Sequence, residues 1–242
     1  ELFIQETLLE IYKMNKTFKL KSLLLSMAVA GATTLAVAPA TTQAGVSANV
    51  GVVSTYIYRG VQQTADASAS AGLDYEHDSG LYAGVWGADV GGGTEGLEYD
   101  LYAGWAGAFG DVSVDVGLLG YYYTGDFDTS FQEVAVSAGW GPITVGYAGG
   151  KWEDGAVDGS DSDYTDMYIT AEYAGASLTY GKWDADTDLH DNAVTRLELG
   201  YGVELAEGLD GSVTYIKAMQ EASGTDDENY LVFGLSKSFD LM

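Results

Sequence analysis

Alternation governs the chain from residue 46 onward. Over residues 96–107, Leu97, Tyr99, Leu101, Ala103 and Trp105 fall on one parity, and Glu98, Asp100, Tyr102, Gly104 and Ala106 on the other. A period of two means an extended strand whose side chains point to opposite faces. The split recurs. Ala67, Ala69, Ala71, Leu73 and Tyr75 oppose Ser68, Ser70, Gly72, Asp74 and Glu76. Val112, Val114, Val116 and Leu118 oppose Ser113 and Asp115. Met167, Ile169, Ala171 and Tyr173 oppose Asp166, Tyr168, Thr170 and Glu172, and Leu197, Leu199, Tyr201 and Val203 oppose Arg196 and Glu198. The pattern predicts twelve strands, at 46–60, 67–77, 80–89, 97–108, 112–123, 131–140, 142–150, 164–174, 176–183, 193–205, 209–220 and 229–239. No segment in this range carries a helical period.

The connections alternate in length. Short turns fall at Asp78-Ser79, Phe109 to Asp111, Gly141-Pro142, Gly175 and Ala206 to Gly208. Longer loops fall at 61–66, 90–96, 124–130, 151–163, 184–192 and 221–228. This rhythm is that of an antiparallel meander with both ends on the short-turn side. Two environments fit it. A water-soluble sandwich buries the apolar parity and exposes the polar one. An outer-membrane barrel does the reverse, with lipid against Leu, Val and Trp and a wet lumen inside. Three features favour the barrel. Many strands reach about 9–11 residues, enough to cross a bilayer at a tilt. Tyr56, Tyr58, Tyr75, Tyr121, Tyr122, Tyr123, Trp140, Trp152, Tyr164, Tyr173 and Trp183 gather near strand ends, as in aromatic girdles. The last strand runs almost to the C-terminus. The expected fold is therefore all-β, an antiparallel up-and-down transmembrane β-barrel of about twelve strands over residues 45–242.

The front end reads as an address. In residues 14–44, Lys16, Lys19 and Lys21 form a basic region, Leu23 to Ala32 an apolar one, and Thr42-Gln43-Ala44 a cleavage pattern. Cuts after Ala40 or Ala48 are alternatives. A Sec-type signal peptide of this kind sends the chain toward the outer membrane of a Gram-negative bacterium. Residues 1–13 precede Met14, a candidate initiator, and read as an upstream extension with no fold.

Composition then narrows the function. The 242-residue chain carries a net charge of −26, with 33 glycines, two prolines and no cysteine. Without cysteine there are no disulfides and no thiolate metal sites. Beyond residue 44 there are 33 acids and six bases, which excludes a nucleic-acid partner, since phosphates need Lys and Arg. Many acids, among them Asp66, Glu95, Asp126, Asp128, Asp154, Asp158, Asp161, Asp184, Asp186, Asp188, Asp226 and Asp227, lie in the longer loops, where a solvated face is the ordinary explanation.

The stretch STYIYRGVQQT at 54–64 carries Ser54, Tyr56, Arg59, Gly60 and Gln63 in an S-x-Y-x-x-R-G-x-x-Q pattern. Gly72 through Gly87 follow as GLDYEHDSGLYAGVWG. Together with LEYDLYAGWAG at 97–107, these motifs closely resemble the N-terminal half of the TorF porin family. The resemblance covers roughly residues 50–107 and implies an outer-membrane porin. It supplies no substrate and no catalytic residues. Such barrels usually end in an aromatic residue read by the barrel-assembly machinery. Here the end is SKSFDLM, so Phe239 is followed by three further residues.

Candidate chemistry centres on the inward parity. Asp74, Glu76, Glu98, Asp100, Asp115, Glu172 and Glu198 are expected to face the lumen. A ring of carboxylates favours cations, whereas the plainer alternative is a set of hydrated, paired residues with no selective constriction. Arg59, placed near the external mouth, is either a lumenal cation opposing acidic walls or half of a structural ion pair. Arg196 beside Glu198 allows the same two readings. Twelve strands lie between the filled eight-stranded barrel and the open porin. Inward Ser68, Ser70, Gly72, Gly104 and Ser113 leave room for a narrow aqueous path.

The acidic runs EDGAVDGSDSDYTD (153–166) and DADTDLHD (184–191) lack EF-hand spacing. Loose divalent binding that bridges lipopolysaccharide phosphates is their alternative to plain hydration. His77 and His190 are the two histidines, and no nucleophile, base and oxyanion donor come together. No cofactor, metal or catalysis is expected. The leading expectation is a passive channel for small hydrophilic solutes or cations, with outer-membrane lipid and lipopolysaccharide around it. The rival is a non-conducting structural or adhesive barrel whose acidic loops meet ions or lipopolysaccharide.

Overall fold

The computed structural model describes residues 44–91, 96–125, 127–153, 161–187, 190–221 and 225–242. The extension at 1–13 and all but the last residue of the signal segment lie outside the described residues. The strands are β1 (Gly45–Val53), β2 (Ile57–Tyr58), β3 (Val61–Gln62), β4 (Ser68–Glu76), β5 (Leu81–Val90), β6 (Gly96–Phe109) and β7 (Val112–Tyr123). They continue with β8 (Phe131–Trp140), β9 (Ile143–Glu153), β10 (Asp161–Tyr173), β11 (Ala176–Thr187), β12 (His190–Ala206), β13 (Leu209–Gln220) and β14 (Glu228–Asp240). No helix occurs among the described residues.

Twelve of these strands, β1 and β4 to β14, close into one barrel with each strand beside its chain neighbour; β2 and β3 pair only with each other. Closure comes from the antiparallel ladder of β1 and β14, from Val53↔Gly234 to Ser47↔Asp240. The residues after Phe239 take part in it. Asp240 pairs with Ser47, and the Leu241 amide donates to the Val46 carbonyl at 2.9 Å. A closed ladder leaves no unpaired strand edge.

The alternation resolves as two faces. Leu97, Leu101, Val116, Leu118, Val134, Val136, Ile169, Leu199, Leu231 and Phe233 all stand exposed on the outside. Glu98, Asp100, Asp115 and Glu198, on the opposite parity, are buried within. Four two-residue turns join strands on one side, at Gly110-Asp111, Gly141-Pro142, Ala174-Gly175 and Glu207-Gly208, with a four-residue turn at 77–80. Gly175 shows what such a turn requires. Its φ is +84°, and a Cβ there would sit 2.7 Å from the Gly202 carbonyl oxygen.

Two differences from the alternation pattern matter. Residues 46–60 are not one strand. β1 stops at Val53, and the chain then turns into the barrel as the β2–β3 hairpin, with Ile57 paired to Gln62 and Tyr58 to Val61. The loop expected at 61–66 is therefore in part the second strand of this hairpin, at Val61–Gln62, while Ala65 and Asp66 stay exposed. The misleading signal is that Tyr56, Tyr58 and Gly60 keep the period of the strand before them, while the turn residues are Arg59-Gly60, not one of the common hairpin pairs. Both have positive φ, +49° and +87°.

The second difference is length. β9 to β12 extend through Glu153, back to Asp161, through Thr187 and back to His190, into stretches that read as loops. The backbone ladder continues there, as in Asp163↔Asp186. Once a strand leaves an apolar belt both its faces are polar, so the period-two signal ends before the pairing does.

Candidate functional site

The lumen holds the candidate site, and the β2–β3 hairpin is its centre. Ile57 is buried against Ile216 and Val232 from the inner faces of β13 and β14. A Cβ on Gly60 would lie 2.9 Å from Val194 and 3.4 Å from Ala218, so the hairpin tip rests directly on the wall. Thr64 holds the return of the chain: its Oγ1 accepts from the Tyr56 amide at 2.9 Å. The Tyr56 hydroxyl donates to Glu98 Oε1 at 2.7 Å and is buried.

Arg59 sits at the tip. Its Nη2 lies 2.8 Å from Glu133 Oε2 and its Nε 3.6 Å from Asp166 Oδ2, with side-chain exposures of 3%, 0% and 4%. The guanidinium carbon stands 4.8 Å from the Tyr58 ring centre and 5.8 Å from that of Tyr164. Glu133 also accepts from the Tyr164 hydroxyl at 3.0 Å and from the Tyr121 hydroxyl at 3.4 Å. On the floor of this cluster Arg196 grips Asp166 through both terminal nitrogens, at 2.5 and 3.0 Å, and reaches Glu198 at 3.0 Å. Gly181 permits that pose, since a Cβ there would lie 2.6 Å from the guanidinium carbon. Three carboxylates and two arginines thus share one dry region. Separating a buried pair of this kind costs about 3–5 kcal/mol, because one charge is left unmatched.

The structure places the remaining carboxylates along the same inner face. Asp74 accepts from Asn49 at 3.1 Å and from the Tyr102 hydroxyl. Asp115 Oδ1 accepts from Tyr82 at 3.2 Å. One oxygen of Asp100 and one of Asp115 are buried with no protein partner. Glu76 and Glu172 are half-buried near the short-turn end. A cavity of about 10 Å³, room for about one water, lies between Arg59, Asp115, Ser137, Asp166 and Tyr168.

Several expectations need correcting. Arg59 is not at the external mouth but well inside the lumen. Tyr56, Tyr121 and Tyr164 are buried inside and form no girdle, whereas Tyr75, Trp140 and Tyr173 do face outward. Glu133 was absent from the expected set. Its signal is parity: Phe131, Glu133 and Ala135 oppose Val134 and Val136. Asp166, which ends an acidic run but falls on the polar parity of its strand, is an inner residue of β10 as that parity predicts, and is clamped by Arg196. Most of the rest of that run lies outside the described residues, as does the His190 side chain. His77 meets Ser79 within its turn, at 2.9 Å. Among the described residues no group of three or more His, Asp or Glu is placed to hold a metal ion.

The basic residues divide by type. Both arginines face inward. Lys151, Lys182 and Lys217 face outward near the loop side, paired with Asp163, Glu221 and Asp227 at 3.8, 2.8 and 3.3 Å. Lys237 lies outward near the opposite rim, over the Phe239 ring at 5.7 Å.

Comparison with known proteins adds the following. A family model described as "Bacterial protein of unknown function (Gcw_chp)" matches residues 37–239. No curated protein sequence matches the chain. Among solved structures, a KdgM porin superimposes with a TM-score of 0.53 at 9% identity, over 80% of this chain and 99% of that one. A KdgM porin in complex with disordered oligogalacturonate gives 0.53 at 8%, over 80% and 99%. The outer membrane protein opdK from Pseudomonas aeruginosa gives 0.42 at 13%, over 81% and 67%. The barrel fold is thus shared with the KdgM porin at very low identity.

Proposed function

The chain belongs to the Gcw_chp family of bacterial proteins, whose description assigns no activity, and from its geometry we propose that it is an outer-membrane channel for small hydrophilic cations. The observation that carries this is the charge of the inner face. Asp74, Glu76, Glu98, Asp100, Asp115, Glu133, Asp166, Glu172 and Glu198 are set there, among the described residues, against Arg59 and Arg196 alone, inside a wall whose outer face is apolar. Carboxylates lining a narrow aqueous path attract cations and repel anions. The free oxygens of Asp100 and Asp115 are acceptors left for a passing ion or its water. The resemblance of residues 50–107 to TorF porins points the same way, and residues 14–44 are read as the export signal.

The KdgM porin with oligogalacturonate binds a polyanion. That ligand does not transfer, because this acidic lumen carries the same sign of charge as the polyanion and repels it. Planar-bilayer recording under a potassium chloride gradient tests the proposal. Conductance steps with a reversal potential on the cation side are expected; anion selectivity overturns it.

One observation favours a second reading, the non-conducting barrel. The β2–β3 hairpin fills the lumen at its middle, and the space beside Arg59 admits about one water. On that reading the intact protein gives no conductance steps in the same recording.

A further inference from the structure

We propose that the pocket filled by the Arg59 guanidinium is a receptor for a solute of the same chemistry, a small guanidinium- or ammonium-bearing cation that displaces the hairpin tip. The inference rests on the channel reading and names its substrate class.

The wall supplies most of the pocket. Glu133 comes from β8, and Asp166 and the Tyr164 ring from β10, while only Tyr58 belongs to the hairpin. When the tip withdraws, the carboxylate, the two tyrosine hydroxyls that orient it and one ring face stay behind. Arg196 already neutralises Asp166 with two hydrogen bonds, so Glu133 is the carboxylate that depends on Arg59. The vacated pocket therefore asks for one positive charge, planar or compact, with an N–H to give Glu133 and a face or edge to set against Tyr164. That is the recognition chemistry of an organic cation at an aromatic and carboxylate site. A strongly hydrated sodium ion has neither the N–H donors nor the weak hydration that suit it.

The exchange involves the tip alone, because Tyr56, Ile57 and Thr64 anchor the base of the hairpin. Its two strands hold only two residue pairs. Arg59 occupies a left-handed conformation, φ +49°, that glycine or asparagine adopts more readily. What arginine supplies at this position is its side chain in the pocket. The small cavity beside Arg59 lies between Asp166 and Asp115, the next carboxylate toward the short-turn end, so a cation released from the pocket has a following partner.

The test uses the Arg59→Gly protein, which suits the turn and empties the pocket, purified in detergent and checked for a heat-modifiable folded band. Calorimetric titration with methylguanidinium chloride is expected to show saturable binding at least tenfold tighter than to the unmodified protein, with sodium chloride giving none. Adding Glu133→Gln is expected to remove that binding. Equal behaviour of Arg59→Gly and the unmodified protein overturns the inference, as does binding that survives Glu133→Gln. Should Arg59→Gly fail to fold, Arg59→Ala is titrated in the same way with the same outcomes. Micellar binding needs no conduction. A protein that binds but never conducts supports the receptor and sinks the channel. A cation-selective protein that does not bind methylguanidinium does the opposite.

Discussion

At the scale of residues, the lumen divides its carboxylates into those paired with arginine and those without an arginine partner, and the two should respond differently to substitution. Asp166 accepts two hydrogen bonds from Arg196 and faces Arg59 as well. Asp166→Asn leaves two buried guanidinium groups sharing Glu133 and Glu198, and a loss of about 3–5 kcal/mol is expected. It should show as a lower temperature for loss of the compact band on electrophoresis. Asp115→Asn keeps an acceptor for Tyr82 and breaks no ion pair with either arginine at hydrogen-bond distance, so a change within about 1 kcal/mol is expected. Gly181→Ala is a milder probe of the same cluster. Its Cβ would meet the Arg196 guanidinium, which must shift away from Asp166, and the compact band should be lost at a temperature between those of the other two. Parity made the inner position of Asp166 legible in the sequence. Its partnership with Arg59 was not, because that contact crosses the lumen between elements that no local pattern connects.

At the scale of elements, the β2–β3 hairpin is where sequence reasoning and structure part. The period of two persists from β1 through Tyr56, Tyr58 and Gly60, and nothing in it says that the chain has left the wall. What draws the hairpin inward is the lumen itself, through the apolar patch of Ile216 and Val232 that receives Ile57 and the acid that receives Arg59. The short turns, by contrast, were legible because positive-φ glycines such as Gly110, Gly141 and Gly208 sit in them. Replacing residues 56–63 with a short Gly-Ser linker removes the element while leaving every barrel ladder intact. On the channel reading, single-channel conductance should rise severalfold and the cation preference should persist, since all nine inner carboxylates stay on the wall. Planar-bilayer recording checks both. Unchanged conductance would mean that the hairpin does not set the constriction.

At the scale of the whole molecule, the closed ladder and the sorting of charge are one design. Apolar side chains wrap the outside, both arginines and nine carboxylates lie within, and the lysines face outward near the rims. The alternation carried this arrangement because each strand had to satisfy two media at once. The two faces therefore predict opposite sensitivities at adjacent positions. Leu101 stands outward near the middle of β6, so Leu101→Arg puts a charge against acyl chains and is expected to cost about 2–4 kcal/mol in bilayers. Asp100, its neighbour, faces inward with one oxygen unpartnered. Asp100→Asn is expected to leave folding nearly unchanged and to move the reversal potential toward zero. Denaturant titration in liposomes reads the first effect and a salt-gradient recording the second. A protein that tolerates arginine at 101 but unfolds with asparagine at 100 would place the water on the other side of the wall, and the lumen would no longer be a path for ions.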